Sequence, residues 1–301
     1  MAIPCARQLV EFAQTIRLSH TLFALPFALG TALAAEPPWP GWAASALLAA
    51  CLVAARTAAM GMNRVADAAI DARNPRTADR AIPAGRLSPR AALGLTLAAG
   101  TAFLALAWGF YVLRGNPWPG LLAPAFLAVL FGYSYAKRFT TMAHWVLGFC
   151  LGLAPVGVWI ALRGDVSPAA AVIGAAVLFW TAGFDILYAL QDTAVDRREG
   201  LHSVPARMGP ARARAVAAAS HAVAAALLVL AHLTLRQMPG TPGGGRASLV
   251  ALVIIVAALT RQHLRARHAS TQEINTAFFR TNTLVSMMWL AGVLIDTVAG
   301  G

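Results

Sequence analysis

The sequence predicts an all-α protein that crosses a membrane many times. Of the 301 residues, 58% are hydrophobic and only 12% are charged, whereas soluble domains carry about 25% charged residues. The mean hydropathy is accordingly high, at +0.64. Apolar segments of about 20 residues, the length that crosses a bilayer as a helix, recur along the whole chain. The alternating pattern of β-strands is missing, so the segments favour helices over a barrel.

Nine segments are long and apolar enough to form spanning helices. They cover residues 18–35, 41–62, 88–113, 117–136, 143–162, 167–190, 211–235, 246–262 and 279–299. Glycine and proline within these segments are compatible with helices, because neighbouring helices in a membrane bundle satisfy the freed backbone groups. We therefore expect one domain, residues 1–301, with nine transmembrane helices.

The positive charges predict the orientation of the helices. Lysine and arginine collect on the cytoplasmic side of membrane proteins. Of the 24 basic residues, 19 fall in the N-terminal segment or in loops on the same side, four fall on the other side, and Arg56 lies within the second predicted span. This asymmetry predicts a multi-pass protein of the inner (cytoplasmic) membrane with a cytoplasmic N-terminus. Although the net charge is +12, the basic residues form short clusters without interleaved aromatics, which argues against nucleic-acid binding.

The acidic residues are few and clustered. The chain has 12, and seven of them lie in the windows 63–85 and 185–209. A charged side chain costs ~2.5–3.5 kcal/mol at the centre of a membrane helix and less towards its ends, so this clustering needs a reason. Asp67 and Asp71 recur as Asp192 and Asp196, in both cases at the predicted cytoplasmic end of a span. Residues four apart share a helix face, so each pair is expected to present two neighbouring carboxylates.

Paired carboxylates of this kind favour a divalent cation, because the ion converts their mutual repulsion into binding. Asn63 adds an amide oxygen one turn before Asp67, and Asp185 precedes Asp192 by two turns. Histidine and cysteine are missing at ligand spacing, and an all-oxygen set favours Mg²⁺ over zinc. Protein-bound Mg²⁺ usually keeps positions for waters and substrate phosphates. The sequence therefore predicts a site for a Mg²⁺-bound phosphate or diphosphate.

Basic residues beside the acid pairs suit the same ligand, since arginine recognises phosphate with two parallel hydrogen bonds. They are Arg64, Arg76, Arg80, Lys137, Arg138, Arg197 and Arg198. A polyisoprenyl diphosphate satisfies both the charged site and the surrounding lipid. Arg56 is expected either to line a cavity or to pair with Asp185, whereas His20 and His144, at span ends, are expected to have interfacial roles and not ligand roles.

Four other readings of the acid pairs remain open at this point. Each pair could be a solvated helix end with salt bridges one turn apart. A transporter could use the acids for ion coupling, although such acids usually lie near the membrane midplane. A CDP-alcohol phosphotransferase also combines Mg²⁺ with aspartates, but in one longer run on a single helical stretch. A non-catalytic protein that binds lipid diphosphates would need the same carboxylates.

Three stretches resemble motifs of the UbiA-type intramembrane aromatic prenyltransferases. They are "NRVADAAIDARNPRTADRAIPAG", residues 63–85, "FDILYALQDTAVDRREGLHSVPARMG", residues 184–209, and "YSYAKRFT", residues 133–140, which is similar to the family's YxxxKRxT element. The resemblance implies an all-helical bundle around a lipid-open cavity. It also implies Mg²⁺-dependent transfer of a polyprenyl group from its diphosphate to an aromatic acid such as 4-hydroxybenzoate, in quinone biosynthesis.

The resemblance also assigns roles to individual residues. Metal ligands would be Asn63, Asp67 and Asp71 for one Mg²⁺, and Asp192 with Asp196, assisted by Asp185, for a second. Lys137, Arg138 and Arg76 would bind the diphosphate, with Tyr133 and Tyr188 bordering the cavity. Arg64 and Arg56 are further candidates for substrate binding, on the ground of their charge and position. Asp185 is the candidate for a hydrogen bond to the phenol of the acceptor.

One departure from the family pattern concerns the acceptor. Family members best known for 4-hydroxybenzoate often carry aspartate where this chain has Arg64. The stretches "DARNPRT" and "REGLHSVPARMG" look more like the branch linked to menaquinone made through futalosine. A dihydroxynaphthoate-type acceptor is therefore the alternative that the resemblance implies.

Overall fold

Helices account for all the regular structure that is described. The computed structural model describes residues 5–16, 25–238, 240–241, 243–266 and 271–299, with side chains for all of these except residues 5, 266 and 271–279. Strands do not occur within these ranges. The all-α prediction is therefore confirmed.

Twelve α-helices follow one another along the described residues. They are α1 Cys5–Thr15, α2 Leu25–Ala35, α3 Trp42–Arg73, α4 Pro89–Arg114, α5 Trp118–Ala136, α6 Ala143–Arg163, α7 Pro168–Ala189, α8 Thr193–Arg198, α9 Val204–Met208, α10 Pro210–Gln237, α11 Arg246–Ala266 and α12 Thr271–Ala299. A short 3-10 turn, Leu190–Asp192, lies between α7 and α8.

Eight segments of the described chain are long and apolar enough to cross a membrane. They are Trp42–Arg73, Pro89–Arg114, Trp118–Ala136, Ala143–Arg163, Pro168–Arg198, Pro210–Gln237, Arg246–Arg265 and Arg280–Ala299. These correspond to the second to ninth predicted spans. The first predicted span, 18–35, is represented by the 11-residue apolar helix α2, and residues 17–24 lie outside the described part. The multi-pass architecture is thus confirmed with eight candidate spans where nine were predicted.

Two of the predicted spans, 88–113 and 167–190, begin within one residue of α4 and α7, where the structure shows a serine cap. Ser88 precedes Pro89, and its hydroxyl accepts a hydrogen bond of 3.2 Å from the backbone N–H of Ala91. Ser167 precedes Pro168 and caps α7 in the same way. Serine satisfies a backbone donor that the first helical turn leaves unpaired, and proline at the first helical position already has the required φ.

The chain forms two compact units. The first contains Met1–Thr21 and Ser45–Phe139, and therefore α1, most of α3, α4 and α5. Within it, α3 and α4 approach closely at Gly61, where a Cβ atom would lie 2.2 Å from the buried Thr96 hydroxyl oxygen. This close approach comes two residues before Asn63. The packing of α3 against α4 thus fixes the helix that carries the first acid pair.

The second unit contains Leu22–Ala44 and Thr140–Gly301, and α7 lies at its centre, packed against α6 and α10. Glycine allows α6 and α7 to meet at backbone distance. A Cβ at Gly152 would lie 2.3 Å from the carbonyl oxygen of Gly174, and one at Gly148 would lie 2.2 Å from that of Leu178. Small residues of this kind let membrane helices approach closely, where van der Waals contacts drive association.

The close contact between Gly152 and Gly174 predicts that a larger side chain at position 152 lowers the stability of the protein. Gly152→Ala forces α6 and α7 apart and should destabilise the protein by roughly 1–3 kcal/mol, the usual range for overpacking. Gly157→Ala is the matched control on the same helix, because a Cβ there meets no atom within 4 Å. The control should be neutral or slightly stabilising. The stability of each variant is measured as its apparent melting temperature in detergent, relative to the wild type. Equal shifts in melting temperature for the two variants would contradict the prediction.

Candidate functional site

The first acid pair lies on one uninterrupted helix. The sequence predicted that the second span ends at residue 62, but α3 continues to Arg73. Residues 62–74 contain neither glycine nor proline, and Pro75 then disfavours helical backbone at the residue before it. Asn63, Asp67 and Asp71 therefore follow one another at intervals of four on one face of α3.

Asp67 is a buried carboxylate that is paired with the basic element that follows α5. Its exposed fraction is 3%. Lys137 Nζ donates to its Oδ2 over 2.7 Å, and Asn63 Nδ2 donates to the same oxygen over 3.2 Å. An Arg138 guanidinium nitrogen lies 3.8 Å from Oδ1 and also donates to the Ala66 carbonyl. The fold thus joins two motifs that are far apart in the sequence.

One oxygen of Asp67 keeps unused accepting capacity. Oδ1 is buried and accepts no hydrogen bond from any described residue. Buried polar oxygens are nearly always hydrogen-bonded, so an unsatisfied one indicates a missing partner. A cation is the natural partner for a carboxylate oxygen.

Asp71 is paired with the turn that follows its own helix. Its exposed fraction is 6%. One Arg80 nitrogen donates to both carboxylate oxygens, over 2.8 and 2.7 Å, and Arg64 contributes a longer contact of 3.5 Å to Oδ2. Arg64 also donates to the Asn63 side-chain oxygen. In the sequence, Arg80 was only one of several basic residues near the acid pairs. In the structure it is the principal partner of Asp71.

Hydrogen bonds fold residues 74–85 back over the end of α3. The Thr77 hydroxyl donates to the Asp71 carbonyl over 3.0 Å, and the Asn74 side chain accepts from the backbone N–H of Arg76 over 3.0 Å. The turn ends at Gly85, whose φ of +73° is in the left-handed region that glycine adopts without strain. Arg76 itself is exposed at the surface of this turn.

Helix α1 covers the same turn, and the sequence did not predict this helix. Its buried Phe12 packs in a cluster with Ile82 and Leu87. Glu11 accepts a hydrogen bond of 3.2 Å from Arg86, which also pairs with the exposed Asp79. The hydrogen bonds that Arg86 donates to Asp79 and to Glu11 raise the pKa of its guanidinium.

Two further predicted site residues lie in the same unit. Arg56 is on α3, two turns before Asn63, and is close enough to Tyr133 on α5 for an electrostatic interaction. Both side chains are partly buried. The first unit therefore brings together an acidic face of α3, the basic residues after α5, and the turn that carries Arg80.

The second acid pair is built differently, because the helix is interrupted. Asp185 and Tyr188 lie on α7, Asp192 closes the 3-10 turn, and Asp196 lies on α8. The side chain of Gln191 donates to the Tyr188 carbonyl over 2.9 Å within this turn. The spacing of four between Asp192 and Asp196 therefore does not correspond to one continuous α-helix. Both side chains are partly buried and interact with other residues.

In both motifs the acid pair is followed by arginines and then by a glycine, and the two glycines share a backbone conformation. Gly200 follows Arg197 and Arg198 with a φ of +68°, as Gly85 follows the first motif. The chain then turns back, and the backbone N–H of Leu201 donates to the Asp196 carbonyl over 2.8 Å. In each unit a left-handed glycine thus ends the segment that contains the acids.

Asp185 is paired with a histidine that the sequence did not assign to the site. Its Oδ2 lies 2.7 Å from His144 Nδ1, and His144 Nε2 accepts from the backbone N–H of Val204 over 3.2 Å. The histidine is buried, whereas the Asp185 side chain is 28% exposed. In the sequence, the only indication that His144 belongs to the site was its position in the first turn of a predicted span, at the same side of the membrane as the predicted acid pairs. The other histidine considered, His20, lies outside the described residues.

The donor set suits Mg²⁺ shared with a substrate better than a metal enclosed by protein. Within the described residues, no three His, Cys, Asp or Glu side chains are grouped so as to hold a metal ion. Mg²⁺ needs only one or two carboxylates when substrate phosphates and water complete its octahedron. The first motif supplies two carboxylates, an amide oxygen and the unsatisfied Asp67 Oδ1. These residues fit such an ion.

Comparison with known proteins identifies the family. The UbiA prenyltransferase family matches residues 24–284. A 4-hydroxybenzoate solanesyltransferase of Synechocystis sp. is 35% identical over 142 residues, which is 47% of this chain and 47% of that protein. The match therefore spans about half the length of this curated relative.

Solved structures share the fold over nearly the whole chain. The apo structure of a UbiA homolog from Aeropyrum pernix K1 is 33% identical, covers 93% of this chain and 98% of that chain, and has a TM-score of 0.80. A UbiA homolog from Archaeoglobus fulgidus, solved bound to GPP and Mg²⁺, is 19% identical, with coverage of 94% and 99% and a TM-score of 0.69. At that identity the likeness shows the fold alone. From the family match and the shared architecture, the chain belongs to the UbiA prenyltransferase family.

Proposed function

We propose that this protein transfers a polyprenyl group from a polyprenyl diphosphate to an aromatic acid in quinone biosynthesis, with Mg²⁺ as cofactor. The observation that carries the proposal is the buried Asp67 and Asp71 pair, held among cationic side chains at the end of a membrane-length helix. Family membership and the similarity to a 4-hydroxybenzoate solanesyltransferase support the same reaction.

The cationic side chains of the first unit would bind the diphosphate. Lys137, Arg138, Arg80 and Arg64 all contact the acids of α3, and Arg76 lies in the adjoining turn. These pairs offset the cost of burying the two carboxylates. Arginine and lysine are also the usual protein partners of phosphate. The same groups therefore stabilise the protein without substrate and can bind substrate oxygens when it is present.

Two sets of ligands would hold the metal. Asn63, Asp67 and Asp71 would bind one Mg²⁺, and Asp192 with Asp196 would bind a second. When bound, Mg²⁺ neutralises the negative charge that grows on a departing diphosphate. The remaining chemistry is assigned to the residues of the chain.

The reaction exchanges one bond for another. The C–O bond between the allylic carbon and diphosphate breaks, and its electron pair leaves with the diphosphate. An electron pair of the aromatic ring forms the new C–C bond, and transfer of the proton on that ring carbon to an oxygen of the released diphosphate restores aromaticity. Tyr133 and Tyr188 would shield the electron-poor allylic group, because aromatic faces attract positive charge and apolar surroundings exclude water. Asp185 would accept a hydrogen bond from the acceptor phenol and make the ring more electron-rich.

The acceptor is proposed to be a 4-hydroxybenzoate-like acid. The alternative is a dihydroxynaphthoate-type acid of the futalosine route to menaquinone. Arg64 favours this alternative, because family members best known for 4-hydroxybenzoate often carry aspartate at its position. An alternative of another class is a protein that binds or transports prenyl diphosphates without catalysis, because binding needs the same side chains. Turnover of a labelled prenyl diphosphate separates that case from an enzyme.

The proposed location follows from the charge asymmetry. With 19 of 24 basic residues on one predicted side, we place the N-terminus and the aspartate motifs at the cytoplasmic face of the inner membrane. We propose that residues 1–301 act as one functional domain in contact with membrane lipids.

Asp67→Asn should reduce prenyl transfer by about 100-fold or more, the effect of losing one preorganised electrostatic group at a reaction centre. Prenyl transfer in isolated membranes measures the effect, with membrane insertion checked in parallel. Asp79→Asn is the matched control, because Asp79 follows the same motif but its side chain is 97% exposed and pairs only with Arg86 among the described residues. Equal activity of the two variants would contradict the role of Asp67.

Chelation tests the metal. EDTA should abolish prenyl transfer in washed membranes, and added Mg²⁺ should restore it, because the oxygen donors of the two motifs would otherwise have no ion to share with diphosphate. Zn²⁺ should restore less, since the candidate ligands are all hard oxygens. Undiminished turnover in excess EDTA would remove Mg²⁺ from the mechanism.

Mass spectrometry of the lipid-soluble product tests the acceptor. Membranes are supplied with one polyprenyl diphosphate and an equimolar mixture of 4-hydroxybenzoate and 1,4-dihydroxy-6-naphthoate. The proposal expects the prenylated 4-hydroxybenzoate to dominate. Dominance of the naphthoate product would select the alternative acceptor, and the lack of any prenylated product would favour the non-catalytic binder.

A further inference from the structure

A chain of hydrogen bonds links the backbone of α9 to an acid of the second motif through one histidine. The Val204 N–H donates to His144 Nε2 over 3.2 Å, and His144 Nδ1 lies 2.7 Å from Asp185 Oδ2. All three residues belong to the second unit. This arrangement fixes both the ring orientation and the position of its proton.

The proton position follows from what each partner can do. A backbone N–H can only donate, so Nε2 must be the unprotonated acceptor of the ring. A neutral imidazole then carries its single proton on Nδ1, where it faces the Asp185 carboxylate. An imidazolium would place a second proton on Nε2, against the Val204 N–H. In this geometry Nδ1 is the ring nitrogen that carries the proton towards Asp185, and it donates to the carboxylate.

We propose that His144 is a positioning residue that holds the Asp185 carboxylate in place for the aromatic acceptor. The proposal rests on the function proposed above. With Oδ2 occupied by the imidazole N–H, Oδ1 is left to accept the hydrogen bond from the acceptor phenol. The Asp185 side chain remains 28% exposed beside this contact, so the carboxylate can still be reached by an acceptor.

The anchor of this hydrogen-bond chain is rigid. Val204 begins α9 directly after Ser203, whose hydroxyl caps the helix by accepting from the Ala206 N–H over 3.3 Å. The Val204 side chain is buried with Ile186 and Leu187, the two residues that follow Asp185 on α7. Both ends of the chain are therefore tied to one packed cluster. The ring cannot rotate without breaking two hydrogen bonds in a buried setting, which would leave polar groups unsatisfied.

This geometry excludes two other roles for His144. Since Nδ1 and Nε2 are both engaged, neither has a lone pair left for a metal ion. Neither can receive a substrate proton, because Nε2 already accepts from Val204 and Nδ1 already carries its proton. The histidine acts through Asp185, in the way that partners of a ligating or reacting group fix its orientation.

Two substitutions separate the hydrogen bond to Asp185 from the one to Val204. The amide of asparagine occupies the place of Nδ1, so His144→Asn can still donate to Asp185. The amide of glutamine reaches the place of Nε2, so His144→Gln can still accept from Val204 but cannot donate to Asp185. We expect the glutamine variant to lose about 10–100-fold in kcat/KM for the aromatic acid, the usual loss for an orienting partner, and the asparagine variant to stay within about threefold of the wild type. The KM for the prenyl diphosphate should not change in either variant.

Equal losses in the two variants, or a glutamine variant as active as the wild type, would overturn the proposal. A second measurement uses the wild-type protein, so that the proposal can be tested even if the variants do not fold. The ring ¹⁵N shifts of labelled histidine in membranes report the tautomer, and the signal absent from His144→Asn is assigned to His144. An Nδ1–H tautomer supports the proposal, and an Nε2–H tautomer or an imidazolium overturns it. If the wild type transfers no prenyl group, the proposed function fails, while the tautomer still decides the hydrogen-bond arrangement.

Discussion

The compensation of buried carboxylate charge is the constraint on which the rest of the candidate site depends. Asp67 and Asp71 are 3% and 6% exposed, at the end of a helix long enough to cross a membrane. An ionised carboxylate in such a setting is stable only with partners that donate to it. Lys137 and Arg80 provide these partners at 2.7 Å each. Without them α3 could not carry its acids into a buried position.

This constraint accounts for the structure around α3. Lys137 must follow α5 at the level of Asp67, and Arg80 must be returned to Asp71 by the turn after the helix. That turn is held by the Thr77 hydroxyl and covered by Phe12 of α1. A protein that binds diphosphate benefits from the same arrangement, because its cations are already gathered in one place. In the proposed function, the side chains that offset the buried charge are therefore also the ones that would bind the substrate.

In the second unit the partner of Asp185 is a histidine and not an ammonium or guanidinium group. Asp185 is more exposed than the acids of α3, and its Oδ2 lies 2.7 Å from Nδ1 of His144. The close packing of α6 on α7 at Gly152 and Gly174 brings the helices that carry these two residues together. The acids of α3 are thus paired with Lys137 and Arg80, whereas Asp185 on α7 is paired with His144.

The sequence alone determined the all-α membrane fold, the positions of eight spans and the acid face of α3, because these depend on local hydrophobicity, caps and helical periodicity. The apolar spans predicted from residues 88 and 167 begin within a residue of α4 and α7. The tertiary structure alone decided which cation pairs with which acid, the interruption of the helix before Asp192, and the contact of His144 with Asp185. Lys137 and Asp67 are 70 residues apart and His144 and Asp185 are 41 apart, so these pairs depend on tertiary packing. Arg80 is only nine residues from Asp71, but the turn after α3 has to return it to that carboxylate. No pattern of nearby residues encodes these contacts.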